Sequence, residues 1–159
     1  MVNAPRTRKN HAKGGRTVPA RTLKGTFTQA VDVKGRMAFP AKLREIMGES
    51  LVLTRGVGGC IFAYSPEAFE QKAAKLGELP MASALTLQRT LMANAADVEA
   101  DKQGRILIPQ RLRELAGIDK DAVVTGVSDH CEIWDAEKWN EANGISDEEY
   151  MRALEVAGF

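Results

Sequence analysis

A stretch of 17 residues occurs twice in this chain, without gaps, at a spacing of 69. Asp32-Val33-Lys34-Gly35-Arg36-Met37-Ala38-Phe39-Pro40-Ala41-Lys42-Leu43-Arg44-Glu45-Ile46-Met47-Gly48 superimposes on Asp101-Lys102-Gln103-Gly104-Arg105-Ile106-Leu107-Ile108-Pro109-Gln110-Arg111-Leu112-Arg113-Glu114-Leu115-Ala116-Gly117 with eight identities. Other positions exchange like for like, Lys42 with Arg111 and Ile46 with Leu115 among them. After a one-residue insertion the match resumes at a spacing of 70, aligning Gly56-Val57 with Gly126-Val127, Tyr64 with Trp134 and Phe69 with Trp139. Self-similarity on this scale constrains architecture before any element is assigned, because both copies, each of roughly 45 residues, must take up the same local fold.

Within the first copy, residues 27–33 and 37–39 are rich in strand-forming side chains and flank a glycine-containing turn, which predicts a hairpin. Pro40 then opens a short helix, where its missing amide hydrogen costs nothing, and Leu43, Ile46 and Met47 share one face before Gly48 stops it. Strands are expected over 51–54 and 60–64. The second copy repeats the order, with a helix over 111–116 and strands over 122–127 and 131–134. Ser65 and Pro66 start a helix running to about Leu76, and residues 83–92 supply another. Asp135 caps the corresponding helix of copy two, and Ser146 with Glu149 forms a capping box for a last one. The divisions that follow are repeats at 24–71 and 96–141, a helical linker at 72–95 and a C-terminal helix at 142–159. One such repeat buries too little apolar surface to be stable alone, so the two are expected to share a core as an internal pseudo-dimer.

Charge divides the chain unevenly. Arg6, Arg8, Lys9, Lys13, Arg16, Arg21 and Lys24 give the first 24 residues a charge of +7 with no acid, against a net +1 for all 159 residues, so the remainder is acidic. The leader over 1–23 has few large apolar groups and is expected to be mobile, acting either as an arm for phosphates or as a solvated extension. No apolar run approaches the roughly 20 residues of a membrane span, and no secretory signal is evident, which places the chain in the cytoplasm without a membrane partner. Cys60 and Cys131 are then read as reduced thiols.

The turn carries the chemistry. In Asp-x-x-Gly-Arg the carboxylate can accept backbone amides two or three residues on, and glycine can take the positive φ that a tight turn demands. The arginine that follows presents a planar fork of five donors, suited to phosphate oxygens or to guanine in a major groove. Ion pairing of Asp32 with Arg36 inside one hairpin is the alternative use. A duplicated turn would set Arg36 and Arg105 in related positions, each with a cation nearby in Lys34 or Lys102. Lys42, Arg44, Arg111 and Arg113 add charge on the short helices, although the neighbouring Glu45 and Glu114 also fit a solvated helix face.

The Asp-x-x-Gly-Arg, apolar run, Pro and Leu-Arg-Glu series resembles the SpoVT-AbrB DNA-binding domain. In tandem, with Tyr64 and Trp134 closing each copy, it is similar to the MraZ family of bacterial transcriptional regulators over roughly residues 24–143. The resemblance implies an α+β fold in which two AbrB-like repeats form one swapped-hairpin β-barrel with peripheral helices. It also implies a ring-shaped homo-oligomer, associated with the nucleoid, that binds direct repeats in double-stranded promoter DNA upstream of the division and cell-wall gene cluster containing its own gene. By the same resemblance the Asp-x-x-x-Arg motifs, Asp32 to Arg36 and Asp101 to Arg105, contact DNA, and so do the helix arginines Arg44 and Arg113. From the residues themselves Lys34 and Lys102 are expected to join the contact, and Asp32, Gly35, Asp101 and Gly104 to support the turns.

Other functions find less material. Two histidines and two cysteines lack zinc-ligand spacing, His130 and Cys131 read as strand neighbours facing opposite ways, and Gly56-Val57-Gly58-Gly59 lacks the Gly-Lys-Ser/Thr of a phosphate loop. No nucleophile has a credible base, so neither an enzyme nor a cofactor is expected. An AbrB-type antitoxin, binding an operator and a protein, is the alternative, and a structural scaffold a third. Phe62, Tyr64, Phe69, Trp134 and Trp139 are expected in the core or a subunit interface rather than as a base-stacking platform.

Overall fold

The computed structural model describes residues 21–159, so the first 20 residues of the basic leader lie outside it. The first repeat comprises β1 (Thr26–Ala30), β2 (Arg36–Ala38), α1 (Ala41–Met47), β3 (Ser50–Arg55) and β4 (Ile61–Tyr64), followed by α2 (Pro66–Leu76) and α3 (Met81–Ala93). The second runs β5 (Ala96–Glu99), β6 (Arg105–Leu107), α4 (Gln110–Ala116), β7 (Asp121–Gly126) and β8 (Cys131–Asp135), followed by α5 (Ala136–Ala142) and α6 (Asp147–Ala157). Caps fall where short polar side chains precede helices: Ser65 accepts from Ala68, Asp135 from Lys138, and Ser146 forms a reciprocal capping box with Glu149. Helix α3 starts at Met81, directly after Pro80, rather than at Ser83, because proline's fixed φ sets the entry and Ser83 caps nothing. Helix α2 crosses the expected repeat boundary at residue 71, and Leu23, placed in the leader, is buried at the core through a bridge to Ser128.

The expected hairpin between β1 and β2 does not form as a ladder. Beyond the Asp32 turn, pairing between the two segments is limited to a Val31–Met37 bridge. Strand β1 pairs with β7 of the second repeat, and β5 pairs with β3 of the first. The sheet order β1-β7-β8-β4-β3-β5 therefore interleaves the repeats, while β2 and β6 pair with each other as a separate two-stranded ribbon. Registers give the symmetry: Met37 faces Ile106 and Phe62 faces Glu132, so an approximate twofold axis passes through both pairs. Phe27 faces Val124 as Ala96 faces Leu53, which makes the spacing between equivalent residues of β3 and β7 equal to 71. It falls back to 70 at β4 and β8, because the loop closed by Gly56 and Cys60 is one residue longer than the loop closed by Val127 and His130. Gly56-Val57 and Gly126-Val127 are thus adjacent in the alignment, not equivalent.

Both repeats contribute to one core, in which Met37, Phe39, Leu43, Leu53 and Ile61 pack with Ile106, Ile108, Leu112, Val124 and Ile133. Strands with both faces covered read as continuous buried runs, Leu51 to Thr54 and Ala122 to Thr125. A smaller cluster gathers Cys60, Val123 and Trp134 with the half-buried Phe62 and Trp139. Tyr64 and Trp134 are buried at equivalent strand ends, as expected of closing aromatics. Burial pushes the thiols of Cys60 and Cys131 up to about 12. Native protein at neutral pH is accordingly expected to leave both thiols unmodified by a thiolate-selective disulfide reagent, with two equivalents reacting after denaturation. Rapid labelling of the native fold would contradict this burial.

Candidate nucleic-acid interface

The two Asp-x-x-Gly-Arg turns are built by the same bonds. Asp32 Oδ1 accepts the amides of Lys34 and Arg36, each at 2.9 Å, and Oδ2 accepts Arg36 Nε at 2.9 Å. The Gly35 amide donates to the Asp32 carbonyl and the Asp32 amide to the Arg36 carbonyl, closing the loop. Asp101 accepts the amides of Gln103 and Arg105 at 2.9 Å and Arg105 Nε at 3.0 Å. Gly35 and Gly104 take φ of +86° and +77°, a region that side chains with a Cβ rarely adopt. The alternative use of the arginine is therefore present, yet it occupies only one edge of the fork. Among the described residues, no hydrogen-bond partner takes the terminal guanidinium nitrogens of Arg36 or Arg105, whose side chains are 38% and 36% exposed.

The Arg36 amide above all, opposed by partial desolvation and helped by the guanidinium and the Lys34 amide, holds the Asp32 carboxyl below its ordinary 3.8. Asp101 is lowered in the same way by Arg105 and Gln103. A carboxyl depressed in the native state contributes stability that is present above the ordinary value and is lost as pH falls through the native one. An acid titration followed by amide NMR should therefore show the Arg36 and Arg105 amides shifting with midpoints below 3.8. A midpoint above that value would contradict the bonding described.

The flanking lysines are not equivalent. Lys34 occupies the third position of its turn and Lys102 the second of the other, where the first repeat carries the fully exposed Val33. Arg44 and Arg113 leave the turns of their own repeats and lie against those of the opposite one, Arg44 over Gly104 and Arg113 over Gly35. Sequence reasoning missed this placement, since it depends on how β2 and β6 pair. Away from the turns, Cys131 faces the core while His130 projects oppositely, stacked on Tyr64 with ring centroids 5.1 Å apart and bonded through Nδ1 to Asp129. Among the described residues no cluster of three or more His, Cys, Asp or Glu side chains is arranged to hold a metal, and no helix is long and apolar enough to cross a membrane.

A family model described as "MraZ protein, putative antitoxin-like" matches this chain twice, at residues 22–88 and 91–153, one match for each repeat. The chain is 46% identical over 135 residues to the transcriptional regulator MraZ of Acetivibrio thermocellus, covering 84% of this chain and 92% of that protein. Its identity to the protein of the same name from Lactiplantibacillus plantarum is 47% over 119 residues, covering 74% and 84%, and to that of Symbiobacterium thermophilum 44% over 137 residues, covering 85% and 99%. With a family match on each repeat and identities of 44–47% over most of each chain, this protein belongs to the MraZ family.

Proposed function

We propose that the protein is a transcriptional regulator that binds double-stranded promoter DNA through its two Asp-x-x-Gly-Arg turns. The observation that carries this reading is the duplicated guanidinium: each turn fixes one edge of its arginine with a carboxylate and leaves the terminal nitrogens at the surface. Arg36 and Arg105 reach base edges or phosphates, Lys34 and Lys102 add phosphate contacts, and Asp32, Gly35, Asp101 and Gly104 hold the turns rigid. Arg44 and Arg113 belong to the same basic face. The ribbon of β2 and β6 closes over the six-stranded sheet as a barrel whose symmetry axis sets the spacing between the two arginines.

One pair of turns offers few base contacts, so a single chain binds modestly and with strong salt dependence. Assembly into a ring multiplies those contacts over direct repeats through effective concentration. The exposed apolar side chains of Met81, Leu85 and Leu87 on α3, and of Tyr150, Met151 and Val156 on α6, support such self-association. The protein then works at the nucleoid in the cytoplasm, on the promoter of the division and cell-wall cluster that includes its own gene. A second reading, an AbrB-type antitoxin-like module with a protein partner, is favoured by the wording of the family description. It requires a second polypeptide to co-purify in fixed ratio.

Fluorescence anisotropy with duplex from the gene's own upstream region, against a scrambled duplex at two salt concentrations, tests the proposal. Tighter, salt-sensitive binding to the native sequence is expected. Equal affinity for both duplexes, lost on deleting residues 1–20, would assign nucleic-acid binding to the leader and refute it.

A further inference from the structure

Arg44 and Arg113 are placed in a way that neither repeat could produce alone. Arg44, on α1, donates Nε to the Phe39 carbonyl at 2.9 Å, and the Phe39 amide donates to the Gly104 carbonyl of the second repeat's turn, also at 2.9 Å. Its guanidinium covers Gly104 so closely that a Cβ there would lie 2.5 Å from Nη2 and 2.6 Å from Cζ. The second repeat returns the arrangement. Arg113 Nε donates to the Ile108 carbonyl at 3.0 Å, the Ile108 amide donates to the Gly35 carbonyl at 2.9 Å, and a Cβ at Gly35 would lie 2.5 Å from Cζ and Nε of Arg113.

These bonds suit a clamp better than a phosphate contact. A side chain that serves phosphates extends into solvent, whereas that of Arg44 is 22% exposed, its Nε is bound to the backbone and its Nη1 lies 3.3 Å from Glu49 Oε1. A planar guanidinium can lie flat on a glycine while bonding sideways, and a lysine ammonium cannot. We propose that Arg44 and Arg113 are reciprocal positioning residues, each fixing the DNA-reading turn of the opposite repeat, so that Arg44 sets Arg105 and Arg113 sets Arg36. The proposal rests on the reading that Arg36 and Arg105 meet DNA. Its consequence is that neither turn tilts without moving the helix of the other repeat, which makes the two arginines one rigid reading unit.

The test is a pair of double-mutant cycles on the full chain with the native promoter duplex. Arg44→Ala alone is expected to weaken binding roughly tenfold, within the range of one lost base contact. Added to Arg105→Ala it should change affinity less than about twofold, because the turn it sets no longer carries a contact, while its effect in Arg36→Ala should persist in full. Arg44→Lys, which keeps the charge, should behave like the alanine variant. Equal added losses in both backgrounds, or full rescue by lysine, would overturn the proposal in favour of a direct contact. Amide hydrogen exchange in the DNA-free protein separates this from the functional reading. Arg44→Ala should speed exchange at Gly104 and Arg105 and spare Gly35 and Arg36, and Arg113→Ala the reverse. That pattern in a protein whose Arg36→Ala and Arg105→Ala variants bind DNA normally would keep the clamp and refute the functional reading, whereas unchanged exchange in both variants overturns the clamp.

Discussion

The Arg36→Ala/Arg105→Ala double variant is expected to lose preference for the native promoter duplex almost entirely while keeping its fold. A well-placed guanidinium contact to a base contributes about 1–3 kcal/mol of discrimination, so removing both from one chain costs about 2–6 kcal/mol, or roughly 30-fold to 10⁴-fold in affinity. Stability should change little, because both side chains are more than a third exposed and solvent-screened ion pairs contribute about 0–1 kcal/mol. The carboxylates keep their backbone amides after the substitution, so the turns retain most of their bonds. Anisotropy with native and scrambled duplexes, beside a thermal melt, checks both halves. Unchanged affinity would remove these arginines from the interface, and a collapse of the melting temperature would make them structural.

Replacing Phe39 by alanine should be the most damaging single substitution in the core. Phe39 is 1% exposed, is the largest fully buried side chain among the described residues, and belongs to the cluster shared by both repeats. Truncating a buried phenylalanine costs about 3–5 kcal/mol through lost transfer energy and a residual cavity. That is a large part of the roughly 5–15 kcal/mol that holds a domain of ordinary stability. The effect extends to the interface, since the Phe39 amide and carbonyl join the Gly104 carbonyl to Arg44 Nε. Urea unfolding should show a lower midpoint and a single transition, because the residue belongs to a core that neither repeat owns. A loss under about 1 kcal/mol would contradict that placement.

The local half of this structure was legible in the residues. Glycine and proline punctuation, the Ser65 and Ser146 caps and the faces of α1 and α4 follow from rules that act over a few positions. The Asp32 and Asp101 turns were equally legible, since a carboxylate, a glycine and an arginine at fixed offsets leave few ways to close. Strand partners were not. Alternation and β-propensity say that residues 27–30 form a strand, but they carry no information on whether its edge bonds to β2 or to a strand nearly a hundred residues away. The expected hairpin is therefore present only at its tip, the Asp32 turn and the Val31–Met37 bridge, and the placement of Arg44 over Gly104 was hidden with the rest of the pairing. The one-residue difference in the β3–β4 and β7–β8 loops was similarly hidden, because gapless alignment matched glycines where the ladder matches strand registers.

The exchange of strands between repeats also sets a timetable. Thr26 and Thr125, whose hydroxyls lie 3.4 Å apart, are separated by 99 positions in the chain. At a translation rate of about 5–20 residues per second, β1 leaves the ribosome roughly 5–20 s before its partner exists. During that interval a nascent first repeat has an unpaired strand and half a core, and a neighbouring nascent chain on the same messenger offers it the same β3 edge that β5 will later claim. The order of synthesis thus delays the final pairing of β1 until β7 has emerged.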